Sequence, residues 1–154
     1  MMRWLKIAVP AAIAALLLIQ LVPYGRAHDN PPVSQAAKFP TPGGEQLMTQ
    51  HCGDCHSNLT DWRWYSNIAP ASWLVTNDVN GGREHLNFSE WNKPQPPLDE
   101  VLHAIEGGDM PPLKYTLPHP NARLDAQSKK RLIAAITALY AKDPPTIRPD
   151  RGGH

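Results

Sequence analysis

The sequence predicts an all-α domain, and three observations carry that prediction. No segment sustains strand-type alternation. Two segments repeat apolar residues with helical period: Leu98, Val101, Leu102 and Ile105 in the first, and Leu132, Ile133, Ile136, Leu139 and Tyr140 in the second. The third is the run Cys52-Gly53-Asp54-Cys55-His56, which reads C-x-x-C-H, the attachment signature of c-type haem. A buried porphyrin supplies apolar core that a chain of 154 residues with 17 prolines is poorly equipped to build alone.

Each position of that run has a chemical task. Two thiols on one stretch of chain can each add to a haem vinyl group and form a thioether. The histidine after the second thiol is then held under the iron, where an imidazole nitrogen can ligate it. Cys52 and Cys55 are the only cysteines in the chain. A structural zinc site usually draws on four Cys or His ligands, and no second cysteine pair exists to complete one. A thioredoxin-like dithiol needs a βαβ setting that the sequence lacks. A chance C-x-x-C beside one of seven histidines is the bland alternative.

The elements follow in order. Arg3 and Lys6 precede an apolar run from Ile7 to Ile19; Gln20 interrupts it, and Leu21 and Val22 follow. Residues 1–27 are therefore expected to be a signal-anchor or transmembrane segment. A cleaved signal peptide with Gly25 and Ala27 before the cut is the competing reading. Ile7 to Pro23 covers 17 residues, at the lower edge of the roughly 17–25 that a span requires. The basic flank places the rest of the chain outside the cytoplasm. Residues 28–44 carry Pro31, Pro32, Pro40 and Pro42 and read as a stiff linker. The haem-binding domain is assigned to residues 45–142. A helix over Glu45–His51 runs into the haem motif, with Leu47 and Met48 on its buried side. Pro70 suits a helical first turn, Ala71–Asn80 continue it, and Gly81 and Gly82 are expected to stop it. Leu98–Glu106 forms a helix that ends at Gly107 and Gly108. Asp125 is placed to cap a final helix over 125–140. Residues 143–154 are expected to be a disordered tail.

A formal net charge of +1 argues against nucleic-acid binding. No Gly-rich phosphate loop and no G-x-S-x-G elbow is present. Without residues 1–27 the chain retains 12 basic and 14 acidic side chains, a mildly acidic balance that suits a basic partner surface.

Haem iron has a sixth position, and Met110 is the leading candidate for it. A thioether is soft, neutral and favours ferrous iron. Met110 stands in Gly108-Asp109-Met110-Pro111-Pro112, where the glycine and prolines fix the loop that presents it. Core filling is the ordinary role of an isolated methionine, and Met48 is read that way. His85 and His119 lie in irregular segments and leave bis-histidine ligation open. His51 sits too close to the attachment site to cross to the other face.

A helix before the haem motif, a variable middle, a methionine loop and a terminal helix follow the order of class I cytochromes c. The chain resembles a family of bacterial periplasmic haem-binding-domain proteins. The resemblance rests on Ile19-Gln20, Cys52 to Asn58, Trp64-Tyr65-Ser66-Asn67-Ile68-Ala69-Pro70, and Trp73. It continues through Gly82-Arg83, Leu86-Asn87-Phe88-Ser89 with Trp91, Met110-Pro111-Pro112 with Tyr115, and His119-Pro120. It covers about residues 17–140. The resemblance implies a small cytochrome c-like helical domain around one haem c, tethered by an amino-terminal transmembrane helix. It places the chain in the inner membrane as a single-pass protein with the haem domain in the periplasm. The expected function is electron transfer to a redox partner protein rather than enzymatic turnover. The expected ligands are His56 and Met110, with Cys52 and Cys55 holding the haem. Arg83 is expected to neutralise a propionate, and Trp64 and Trp73 to pack against the haem or donate to its propionates. The alternative is a haem-based sensor or peroxidase-like domain with a labile sixth ligand.

Overall fold

A computed structural model describes residues 2–149. Six helices follow in order: α1 Met2–Ile19, α2 Pro42–His56, α3 Ala71–His85, α4 Leu98–Gly107, α5 Leu113–Thr116 and α6 Ala126–Lys142. Short 3₁₀ turns form at Trp64–Asn67 and Pro120–Ala122. No strand occurs among the described residues. Two isolated bridges, Gln35 to Glu90 and Gln95 to Ile147, tie irregular segments together.

The apolar amino terminus is helical but does not behave as expected. Among the described residues no helix is long and apolar enough to cross a membrane. This overturns the transmembrane helix and the single-pass inner-membrane placement inferred from the sequence. The physical reason is the helix's length and its junction with the folded domain. α1 has 18 residues, about 27 Å at 1.5 Å per residue, against a hydrocarbon core of about 30 Å. Its first turns also carry Lys6. Gln20 then turns back onto the folded domain: its Nε2 donates to the Ala69 carbonyl at 2.9 Å, and its Oε1 accepts from the Ala69 N–H at 3.0 Å. Gly25 packs against the Ser72 backbone with a positive φ of 82° that glycine tolerates.

α2 starts earlier than expected. Thr41 caps it, its Oγ1 accepting from the Gly44 N–H at 3.2 Å, and Pro42 occupies the first turn. The helix continues through the whole haem motif to His56, so both cysteines are helical. α6 packs against both α2 and α4. Met48, Val101, Ile105, Leu132, Ile136 and Leu139 form the centre of the core. Trp91 extends it, stacked on Phe88 at 5.7 Å and meeting the edge of Tyr140 at 5.4 Å. Its Nε1 donates to the Asp143 carbonyl at 2.7 Å.

α3 also differs from expectation. It runs through Gly81 and Gly82 to His85. Glycine at 82 is a packing requirement, because a Cβ there would lie 2.5 Å from the Cys55 carbonyl oxygen. α4 does end as expected, with Gly108 at φ 85°. Asp125 caps α6, its Oδ1 accepting from the Ser128 N–H at 2.6 Å. Residues 143–149, expected to belong to a disordered tail, lie along the segment before α4: the Gln95 N–H donates to the Thr146 carbonyl at 2.8 Å, and the Arg148 N–H to the Gln95 carbonyl at 2.7 Å. The remainder of that tail, 150–154, lies outside the described residues.

Candidate functional site

The end of α2 and the end of α3 meet at the haem motif. Gly82 allows α3 to approach Cys55 at backbone distance. His56, the last residue of α2, turns its ring onto the end of α3, where Nδ1 lies 3.1 Å from the Gly82 carbonyl and 3.0 Å from the Leu86 carbonyl. A carbonyl only accepts, so Nδ1 carries the proton and Nε2 presents a lone pair. Burial lowers the pKa of His56, which keeps the imidazole neutral. A neutral ring with one nitrogen tied to a carbonyl is the form in which histidine ligates a metal.

The segment after His56 is fixed by buried polar side chains. The Phe88 N–H donates to the His56 carbonyl at 2.9 Å. Asn87 Nδ2 donates to Asn58 Oδ1 at 2.9 Å, and the Asn58 N–H donates to Ser89 Oγ at 2.9 Å. Gln95 Oε1 accepts from the Asn87 N–H at 3.0 Å. Asn58, Asn87, Ser89 and Gln95 are all buried. A satisfied network of this kind sets one conformation, and here it sets the position of His56. The sequence carries only a faint signal for it, because the partners lie 8 to 31 positions apart.

Cys52 and Cys55 are both free and half-buried. Desolvation pushes the Cys52 thiol up to about 12 and the Cys55 thiol up to about 11. Both are therefore neutral thiols at neutral pH. Among the described residues no group of three His, Cys, Asp or Glu side chains is placed to hold a bare metal ion. The donor set of two thiols and one imidazole is incomplete as a bare metal site.

Apolar side chains are left uncovered on and beside the 3₁₀ turn at Trp64–Asn67, α3 and α5. Trp64, Ile68, Leu74, Leu113 and Leu117 are exposed, Trp64 at 74%. They come from segments that surround the motif: Lys114 Nζ bridges to Asp78 Oδ1 of α3 at 2.6 Å, and the Tyr115 hydroxyl donates to Asp54 Oδ2 at 2.7 Å. A flat apolar cofactor attached at Cys52 and Cys55 would cover such side chains, so the residues present fit a haem.

The remaining expected site residues are distributed unevenly. Met110 follows α4 on an exposed loop, its N–H donating to the Ala104 carbonyl at 3.0 Å. Its side chain makes no hydrogen bond and the residue is 38% exposed. Trp73 has a buried Nε1 with no hydrogen-bond partner among the described residues. Arg83 is engaged inside the protein. Its Nε donates to the Ser57 carbonyl at 2.8 Å, and Nη1 to the Asp29 carbonyl at 2.8 Å. Nη2 donates to Asn30 Oδ1 at 2.9 Å and to Thr60 Oγ1 at 2.8 Å. The guanidinium thereby ties residues 29–30 to the turn after the haem motif. The rival histidines are engaged as well. His51 is buried, its Nδ1 donating to the Ala122 carbonyl at 2.9 Å. His85 pairs with Glu100 at 3.0 Å, and His119 lies 2.8 Å from the Tyr65 hydroxyl.

No curated protein and no solved structure matches the chain. A family model described as a haem-binding domain matches residues 14–138, from the last third of α1 into α6. With the C-x-x-C-H helix, the oriented His56 and the uncovered apolar side chains already in place, that match settles the assignment: the chain belongs to the haem-binding domain family.

Proposed function

We propose that this protein is a single-haem c-type cytochrome that carries electrons. The observation that carries the reading is the His56 ring, held by two backbone carbonyls with Nε2 free, directly after two thiols on the same helix. Cys52 and Cys55 would hold the haem through thioethers, and His56 Nε2 and the Met110 thioether would ligate its iron. The haem supplies a one-electron ferric/ferrous couple when bound. The chain's own part is to keep both axial positions filled and the iron's surroundings apolar, so that little reorganises when the charge changes. A helix that carries the thiols, a Met110 loop after α4 and a terminal helix α6 support this reading. Arg83 acts by bracing the turn after the motif rather than by meeting a propionate. The partner is a redox protein, and the chain itself turns over no substrate.

A second reading is a sensor or peroxidase-like domain with a labile sixth ligand. The partial exposure of Met110 favours it. Visible and magnetic circular dichroism spectra of the purified oxidised protein separate the two. Histidine–methionine ligation gives a weak long-wavelength thioether-to-iron charge-transfer band. A high-spin or bis-histidine spectrum overturns the carrier reading as stated.

A further inference from the structure

Met110 stands between the end of α4 and the short helix α5. On the α4 side its N–H donates to the Ala104 carbonyl at 3.0 Å. On the other side α5 packs against the 3₁₀ turn at Pro120–Ala122 and, among the described residues, has no such packing with α2 or α3. Two of its side chains reach across instead. The Tyr115 hydroxyl donates to Asp54 Oδ2 of α2 at 2.7 Å, and Lys114 Nζ pairs with Asp78 Oδ1 of α3 at 2.6 Å. The lysine side chain is 63% exposed, and an exposed ion pair holds little. The tyrosine bond joins two half-buried residues and ends on a carboxylate, which makes it the stronger of the two.

Both partners of that bond are fixed by other contacts. Asp54 lies between Cys52 and Cys55 on α2. Its Oδ1 accepts from the Asp61 N–H at 3.1 Å, and its carbonyl accepts from Thr60 Oγ1 at 2.6 Å. The Tyr115 ring stacks on the His119 imidazole at 4.4 Å, and His119 Nδ1 donates to the Tyr115 carbonyl at 2.8 Å. Pro111 and Pro112 stand between Met110 and α5, and each fixes its own φ, so little slack separates Met110 from Tyr115.

We propose that Asp54 and Tyr115 are the positioning pair for the sixth ligand: their hydrogen bond holds the methionine loop to the attachment helix, so that the Met110 thioether stays on the iron. The proposal rests on the electron-carrier reading above and adds what keeps that ligand from leaving. Neither residue touches the reacting atoms. Without the bond α5 is free to move away from α2 and to take Met110 with it, and the haem acquires a labile sixth position. The inference also gives a task to the second variable position of the C-x-x-C-H run.

The test uses the haem-loaded protein. Carbon monoxide binds ferrous haem once the thioether has left, so its binding rate reads how often Met110 is off the iron. Tyr115→Phe and Asp54→Ala should each raise that rate about ten- to hundredfold, the worth of one hydrogen bond to a charged group. Both should weaken the long-wavelength thioether band of the oxidised protein. The double variant should be no faster than the faster single variant, since both remove the same bond. Met48→Ala loosens the core without touching the pair, and should keep the parent's rate and band. A Tyr115→Phe protein with the parent's rate and band overturns the proposal. Effects that multiply in the double variant also overturn it, as does a Met48→Ala rate raised as far as that of Tyr115→Phe, since both are marks of lost stability rather than lost positioning. If the parent itself lacks the band, the carrier reading is what fails, and the proposal falls with it.

Discussion

The Nδ1 of His56 lies 3.0 Å from the carbonyl oxygen of Leu86. That contact joins the last residue of α2 to the residue after α3, and it is possible only because Gly82 lets the two helices close. Gly82→Ala would drive a Cβ into the Cys55 carbonyl, 2.5 Å away, where backbone faces backbone and no flexible side chain can yield. The helices would have to part and His56 would lose both carbonyl partners. The substitution should cost about 2–4 kcal/mol by overpacking and loss of the orienting bonds. Urea unfolding and haem content per purified chain measure it. Unchanged stability and full loading would show that the approach of α3 is not what orients the histidine.

Met110 decides between the two functional readings. Met110→Ala should remove the thioether charge-transfer band, let carbon monoxide bind the reduced protein much faster, and lower the reduction potential, since the ligand that favours ferrous iron is gone. Met48→Ala should leave the band in place, because Met48 is buried in the core with residues of α6. It should instead destabilise the fold by about 2–4 kcal/mol. A parent protein without the band that already binds carbon monoxide readily would favour the sensor or peroxidase-like reading.

Arg83 yields a prediction opposite to the one its sequence context suggests. With its donors given to Ser57, Asp29, Asn30 and Thr60, Arg83→Ala should act on stability. The expected loss is about 1–3 kcal/mol for the bonds removed, with little change in reduction potential. A propionate partner would show the reverse pattern, a shifted potential with stability nearly intact.

Gly82 and Arg83 show what a sequence discloses and what it withholds. The α4 face, the Asp125 cap and the C-x-x-C-H run are local patterns, and local patterns are readable one turn at a time. Gly82 reads as a helix stop because glycine weakens an isolated helix; the requirement that retains it is a contact with Cys55, on another helix. Arg83 reads as a propionate partner from its charge and aromatic surroundings, whereas its partners are backbone carbonyls and side chains up to 54 positions distant. The Tyr65–His119 pair spans the same distance. The apolar run at the amino terminus has the composition of an anchor, but composition does not reveal that Gln20 is bound to Ala69.

The contact between Gln20 and Ala69 carries its own prediction. Gln20 satisfies both backbone groups of Ala69, a buried residue just before α3. Gln20→Ala should leave these groups unpaired and cost about 1–3 kcal/mol. Gln20→Glu should lose the donor while keeping the acceptor and fall between. Hydrogen exchange at the Ala69 amide is the direct measurement. Exchange as slow in Gln20→Ala as in the parent would mean that residues 20–26 do not belong to the folded unit.

The thiols link attachment to folding. In the haem-free protein, burial raises Cys52 to about 12 and Cys55 to about 11 from an ordinary 9.0. A group whose folded pKa lies above its unfolded value favours the folded state while it stays protonated. That contribution is intact below pH 9 and is lost as pH rises towards the folded values. The haem-free protein should therefore lose stability above about pH 9, and Cys52→Ala with Cys55→Ala should lose less over the same range. In haem-loaded protein the thioethers cannot ionise, so this part of the alkaline loss should disappear. Neutral, half-buried thiols are also poor nucleophiles. Reduced haem should consequently attach faster to chain freshly diluted from denaturant than to the folded haem-free protein. Haem staining after denaturing electrophoresis reads both results on one gel. The double variant should show no stained band, since the chain has no other cysteine. A band there would sink thioether attachment, and equal staining of prefolded and freshly diluted chains would show that burial of the thiols does not limit it.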